Sequence, residues 1–226
     1  MQKVLNKKCL NQYSMVEYDS SKVYTTITSD DLGAFKSYFY QIKFITESNP
    51  KNVLEVGIGN KTLNNYLKQH KLPVTSCDFD ETLKPDVVAD VRNLPFKDNE
   101  FDVVCAFQMI EHIPWEDVPQ ALSELGRVSK GRVIISIPFT AVTIEGIIKS
   151  SIFKRLFGTW TFRFLINLEF ITRKWKYNNV HYWEMGKKNY PRKKVRNLFR
   201  QYFDIIKEEK VELSYQYFFV LKKKDL

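Results

Sequence analysis

Five short apolar runs set the strongest constraint on what this chain can fold into: "NVLEVG" (52–57), "PVTSCD" (73–78), "DVVAD" (86–90), "FDVVCAF" (101–107) and "RVIISIP" (132–138). Length and β-branched content make each a strand buried on both faces. Helical patterns at "KTLNNYLKQH" and "WEDVPQALSELGRVSK" separate them. Strands alternating with helices predict an α/β fold, a Rossmann-like, doubly wound and mostly parallel sheet with its ligand at the carboxyl ends of the strands. Two last runs, "FDIIKEEKVE" and "QYFFVLKKK", follow too closely for a crossover and predict an antiparallel C-terminal hairpin. Upstream, "SDDLGAFKSYFYQIKFITESNP" has Ser29 or Asp30 as a cap, aromatics at helical spacing and Pro50 as a stop, so a helix leads into the sheet.

A chain of 226 residues suits one such domain, 1–226, with embellishments. It divides into a helical lead-in (1–50), a core carrying the strands (51–138), a basic aromatic lid insertion (139–189), and a C-terminal helix and hairpin (190–226). The 44% hydrophobic content excludes a disordered chain. Cys9, Cys77 and Cys105 are spaced too irregularly for a zinc knuckle or a disulfide framework, so no metal site is expected and a cytoplasmic setting fits. Behind the N-terminal lysines there is no apolar segment to imply secretion or an anchor. Charge is divided unevenly: residues 1–138 hold 16 Lys/Arg against 18 Asp/Glu, and residues 139–226 hold 19 against 8. The second part is biased toward an anionic substrate, a membrane surface or a nucleic acid, or else is a solvated basic face.

"VLEVGIGNKTL" (53–63) joins the first strand to a helix starting near Asn60. Gly57 and Gly59 would let a ligand approach the backbone beside the helix's free N–H groups. A dinucleotide fold would place a third glycine at Thr62 to seat a pyrophosphate, and would need a crossover helix after Asp78, where only "FDETLKP" intervenes. Both features are lacking, which argues against a nicotinamide-dependent oxidoreductase. Three carboxylates, Glu55, Asp78 and Asp90, stand at three successive strand ends facing one crevice. Burying them unpaired would be costly, so a ligand with an ammonium, a ribose and an exocyclic amine explains all three together.

These residues resemble the class I S-adenosylmethionine-dependent methyltransferases, most closely the type 11 group. The resemblance is carried by "VLEVGIGN", "VTSCDFD", "DVVADVRNLPFKDNEFDVVCAFQMIEHIP" and "ALSELGRVSKGRVIISIP", almost continuously over 52–138. It implies a seven-stranded sheet with S-adenosyl-L-methionine as cofactor. Glu55, Gly57 and Gly59, with Asn60 at the helix start, would line the methionine end. Asp78 would hold the ribose, Phe79 would lie against the adenine face, and Asp90 with the Val91 backbone would read the adenine edge. Gln108 would close over the methionine moiety, while Glu111 and His112 would frame the mouth where substrate meets the methyl group. Lys61 departs from the small residue usual after this turn, so its side chain must swing outward or meet the cofactor carboxylate.

Sulfonium methyl transfer is an in-line displacement that positioning and desolvation can largely drive, and a base is needed only for an acceptor with a proton to lose. His112 and His181 are the catalytic candidates, the latter in an "HYWEMG" stretch like the "HxWE" of similar methyltransferases, where Glu184 would pair with a nearby lysine. His70, at a helix end, reads as a surface residue. The stretch "IIKSSIFKRLFGTWTFRFLINLEFITRKWKYNN" is broken too often by charge to span a membrane. It reads first as a lid or a pair of helices over the cleft, then as a peripheral membrane contact or dimer surface through 144–176, and third as a nucleic-acid surface. No "NPPY"-like turn follows the fourth strand, and the catalytic cysteine pair of cytosine-methylating enzymes is absent. The expected function is methylation of a small-molecule or lipid-like acceptor. The alternatives are a non-catalytic module that binds the cofactor or interacts with a membrane or a partner and, further off, a nucleic-acid methyltransferase or NAD-dependent oxidoreductase.

Overall fold

The computed structural model describes residues 31–178 and 180–224. Cys9 and the expected caps Ser29 and Asp30 lie outside them. In chain order the elements are α1 (Leu32–Thr46), β1 (Val53–Val56), α2 (Thr62–Gln69), β2 (Val74–Asp78), β3 (Val87–Val88), β4 (Phe101–Phe107), α3 (Val118–Val128), β5 (Ser129–Pro138), β6 (Val142–Lys149), α4 (Ser151–Phe157), β7 (Thr161–Leu168), α5 (Arg192–Tyr202), β8 (Phe203–Lys210) and β9 (Gln216–Lys223). Asp31 caps α1, its carboxylate accepting the Ala34 N–H at 2.8 Å.

Seven strands form one sheet in the order β3-β2-β1-β4-β5-β9-β8. The first five are parallel, and β9 runs antiparallel to both neighbours. This is the expected doubly wound sheet with its C-terminal hairpin. Between β2 and β3 the crossover helix is reduced to one 3₁₀ turn, Glu81–Leu83. Apolar residues repeat at helical spacing and decide which helix covers which face. Leu63 and Leu67 of α2, with Phe44 and Ile45 of α1, cover one side of the sheet. Val118, Ala121, Leu122 and Leu125 of α3, with Val195 and Phe199 of α5, cover the other.

The insertion corrects the expectation of paired helices. β6 and β7 form a separate two-stranded antiparallel sheet, with the short α4 at its tip. Directly opposed residues share a face, so the register sorts the side chains. The pairs Val142–Leu168, Ile144–Ile166, Gly146–Phe164 and Ile148–Phe162 make one face apolar. Phe164 lies over Gly146 so closely that a Cβ there would meet the ring at 2.3 Å. The opposite face binds the body: Lys210 Nζ donates to Glu145 at 2.5 Å, the Leu213 N–H donates to Glu145 at 3.0 Å, and Arg163 pairs with Glu212. Consequently Val142, Ile144, Ile148, Phe162 and Ile166 are exposed. Among the described residues no helix is long and apolar enough to cross a membrane.

Phe218 on β9 is fully buried against Tyr40 and Phe44 of α1 and Phe107 of β4. Phe218→Ala should cost about 3–5 kcal/mol, read as a lowered urea midpoint. A change below about 1 kcal/mol would show that α1 is not clamped through this ring.

Candidate functional site

Backbone geometry builds the site first. Gly57 and Gly59 both have positive φ, +82° and +49°. The Gly57 N–H donates to the Cys77 carbonyl at 2.8 Å, and the Ile58 N–H donates to the Asp78 carboxylate at 2.9 Å, which ties the end of β1 to the end of β2. A Cβ on Gly57 would meet the Met109 side chain at 2.8 Å. Met109 therefore lines the turn from the loop after β4; only its place beside Gln108 hinted at this in the sequence. The Asn60 side-chain amide donates to the Tyr38 hydroxyl at 2.7 Å, and Asn60 Oδ1 accepts the Thr62 N–H at 3.1 Å. Tyr38, from α1, is another residue that sequence reasoning missed. Lys61 swings outward, its ammonium donating to the Lys84 carbonyl at 3.3 Å.

Asp78 is buried at the end of β2 and also accepts the Asp80 N–H at 3.0 Å. Burial pushes its pKa up, against the pull of these backbone donors. Beside it Phe79 is 53% exposed, an aromatic face left open at the strand end. Glu55 is only 4% exposed, and its Oε2 has no hydrogen-bond partner among the described residues. Burial raises its pKa to about 8. Gln108 holds φ of +50°, fastened by its N–H to the Ser136 carbonyl at 2.9 Å and by its amide to the Ser136 hydroxyl at 3.3 Å. These two bonds to Ser136 hold a non-glycine residue in the left-handed region.

Asp90 departs from the picture of three unpaired carboxylates. Arg92 grips it through Nε at 3.0 Å and Nη2 at 2.6 Å, and reaches Asp117 with Nη1 at 2.6 Å. The guanidinium two residues on supplies the partner that the crevice was expected to lack. Val91 beside it is buried.

The second half of the site comes from a remote segment. Tyr182 N–H donates to the Glu111 carbonyl at 2.9 Å, Met185 accepts the Thr140 N–H at 3.0 Å, and fully buried Trp183 stands edge-on to Trp115 at 4.9 Å. These contacts carry His181 to within 4.9 Å of His112, ring to ring. His112 Nδ1 is 3.0 Å from the Val180 carbonyl and His181 Nδ1 is 2.7 Å from Glu184 Oε1. Glu184 thus pairs with His181 rather than with a lysine, because the nearby Lys187 is drawn to the Thr140 carbonyl and the Trp175 ring. Burial, then the His181 ring, lowers the His112 pKa to about 4 against the Val180 and Gln108 carbonyls, so the ring is neutral at pH 7. Glu111 is 0% exposed, with no partner among the described residues for either carboxylate oxygen beyond its own amide, and burial raises its pKa to about 8. Glu111, His112 and His181 each bring a ligand-type atom within 4.8 Å of the others, a grouping that their positions in the sequence did not show. His70 stacks on Tyr66 at 4.2 Å at the exposed end of α2, away from this cluster in role and partners.

Residues 54–137 match the family model described as "Methyltransferase domain". No curated protein matches the chain. Among solved structures, the PH0226 protein from Pyrococcus horikoshii OT3 is similar with a TM-score of 0.60 at 20% identity, over 92% of this chain and 98% of its own. Magnesium protoporphyrin IX methyltransferase from Synechocystis PCC 6803, with bound SAH, gives 0.59 at 12%, over 97% and 100%. A 1,6-didemethyltoxoflavin-N1-methyltransferase from Burkholderia thailandensis, with 1,6-didemethyltoxoflavin and S-adenosylhomocysteine bound, gives 0.56 at 14%, over 92% and 83%. At these identities the likeness to the solved structures is one of fold.

Glu55 yields a pH test. Its ordinary pKa of 4.5 applies to the unfolded chain, while in the folded protein it rises to about 8. Between these values the unfolded state binds fewer protons, so this group lowers stability as pH rises through that window. From about pH 5 to about pH 8, the urea midpoint should therefore fall less in Glu55→Gln than in the wild type. Equal falls would mean that Glu55 ionises normally.

Proposed function

We propose that this chain, an S-adenosylmethionine-dependent methyltransferase with a type 11 methyltransferase domain at residues 54–137, methylates a small, lipid-like acceptor drawn from an anionic interface. The carrying observation is the polarity of the β6–β7 hairpin. Its polar face is tied to the body through Glu145 and Arg163, leaving Ile147 and Lys149 at the far end exposed, and its apolar face looks outward, continued by exposed Ile152, Leu156, Phe157 and Trp160. Exposed Lys149, Lys154, Arg155, Arg173, Lys174 and Lys176 flank it. Apolar and aromatic side chains rimmed by cations suit the headgroup region of an anionic membrane. Acceptors named for structurally similar proteins, a porphyrin and a toxoflavin precursor, are small molecules, which is consistent with this size class.

On this reading Glu55 meets the methionine ammonium, whose charge would hold the buried carboxylate ionised. Gly57, Gly59 and Asn60 line the methionine end, with Gln108 closing over it. Asp78 keeps acceptor capacity for the ribose hydroxyls beyond its two backbone bonds, and Phe79 offers its open face to adenine. For the adenine edge, Asp90 stays in reach only as the Arg92-bound carboxylate, so the Val91 backbone carries more of that role. His112 and His181 activate the acceptor at the mouth.

Two measurements test the proposal. S-adenosylhomocysteine should bind the wild type calorimetrically and bind Asp78→Ala at least roughly tenfold more weakly, since a ribose hydrogen-bond pair to a carboxylate is lost. With labelled S-adenosylmethionine, the label should enter the lipid extract of anionic phospholipid vesicles. Sedimentation with those vesicles should fall roughly tenfold or more in the Phe162→Ser/Ile166→Ser variant. Label entering RNA instead, or a wild type that never sediments, would overturn the acceptor assignment.

A further inference from the structure

We infer that Glu111, His112 and His181 form a binding site for a divalent transition-metal ion, with Glu184 and the Val180 carbonyl orienting the two imidazoles. This rests on the methyltransferase reading only for its use in the reaction, and on the geometry alone for its existence. One carboxylate oxygen of Glu111 and one ring nitrogen from each histidine already lie within 4.8 Å of one another. Ligand atoms about 2.0–2.2 Å from a shared ion sit roughly 3–3.5 Å apart, so the widest pair closes by roughly 1.3–1.8 Å on binding.

The hydrogen bonds around the histidines prepare them as ligands. A carbonyl can only accept, so His112 Nδ1, 3.0 Å from the Val180 oxygen, carries the proton, and the neutral ring keeps its lone pair on Nε2. His181 Nδ1 faces the Glu184 carboxylate at 2.7 Å, a hydrogen bond that orients the ring and leaves its other nitrogen free to ligate. Glu111 is the independent sign of a missing partner. A carboxyl with no exposed surface and two unsatisfied oxygens is an expense that no partner among the described residues explains. Two imidazoles and one carboxylate suit zinc, manganese or iron rather than calcium, and leave coordination positions open.

Those open positions would take an acceptor hydroxyl. Bound to the ion, the hydroxyl loses its proton to solvent at a lowered pKa. The oxygen lone pair then forms the O–CH₃ bond while the electrons of the S–CH₃ bond return to sulfur, turning the sulfonium into a neutral thioether. The imidazoles act here as ligands, and no side chain needs to take the proton.

The test uses full-length protein stripped with chelator and titrated with Zn²⁺ and with Mn²⁺ by calorimetry, with bound metal counted by mass spectrometry and S-adenosylhomocysteine binding measured on the same samples. The expected result is one ion per chain, at least tenfold weaker binding in His181→Ala and in Glu111→Gln, and about 10- to 100-fold weaker binding in Glu184→Gln. S-adenosylhomocysteine binding in each variant reports that the fold is intact. Added Co²⁺ gives a second readout, with visible absorption bands that are present in the wild type and lost in His181→Ala. A wild type that binds no more of any of these ions than the Glu111→Gln/His181→Ala variant, while still binding S-adenosylhomocysteine, would overturn the site. Stoichiometric metal without S-adenosylhomocysteine binding would leave the site standing and sink the cofactor reading instead.

Discussion

Parallel pairing of β1 between β2 and β4 is the constraint on which the rest of the structure depends. Val56 lies in register with Cys77 on one side and Ala106 on the other. The next residues, Gly57, Asp78 and Phe107, therefore stand at one level, Gly57 just past the end of β1 and the other two as the last residues of β2 and β4. The Gly57 and Ile58 amides spend their hydrogen bonds on the neighbouring strand end, so the turn is rigid before a ligand arrives. A turn fixed in this way and a buried carboxylate beside it leave little ordering to be done at the moment of binding.

Packing and chemistry are joined in the segment His181–Gly186. Trp183 and Met185 are fully buried in the core on the α3–α5 side of the sheet, and a buried aromatic of this size contributes on the order of several kcal/mol. That hydrophobic anchoring holds His181 and Glu184 beside the loop of Glu111 and His112. It also shields Glu111 from water, which is why its pKa rises. The core thus sustains a costly arrangement of polar groups that short-range forces alone would not assemble.

The β6–β7 hairpin shows where sequence patterns mislead. Ile144, Ile147, Ile148 and Ile152 fall at helical spacings, and apolar Leu165 between Phe164 and Ile166 hides the alternation of Phe162, Phe164, Ile166 and Leu168. Both periods fit the same apolar residues, so helices and strands could not be told apart there. Cross-strand pairing, with Phe164 covering Gly146, settles it as a sheet. The outward turn of its apolar face follows from ion pairs with Lys210 and Glu212, more than 40 residues away in sequence.

The sequence by itself determined the alternation of strands and helices, the glycine turn, the shortened crossover after Asp78 and the C-terminal hairpin. Each of these is written in local periodicity, spacing and chain length, where short-range sterics dominate. Only the tertiary structure decided that Asp90 belongs to Arg92, that Glu184 belongs to His181 instead of a lysine, and that Glu111, His112 and His181 converge. Tyr38 and Met109 likewise reached the glycine turn only through packing. Those pairings join residues whose side-chain directions or separations, up to 70 positions, are set by how helices and loops settle on the sheet, and no local pattern encodes that.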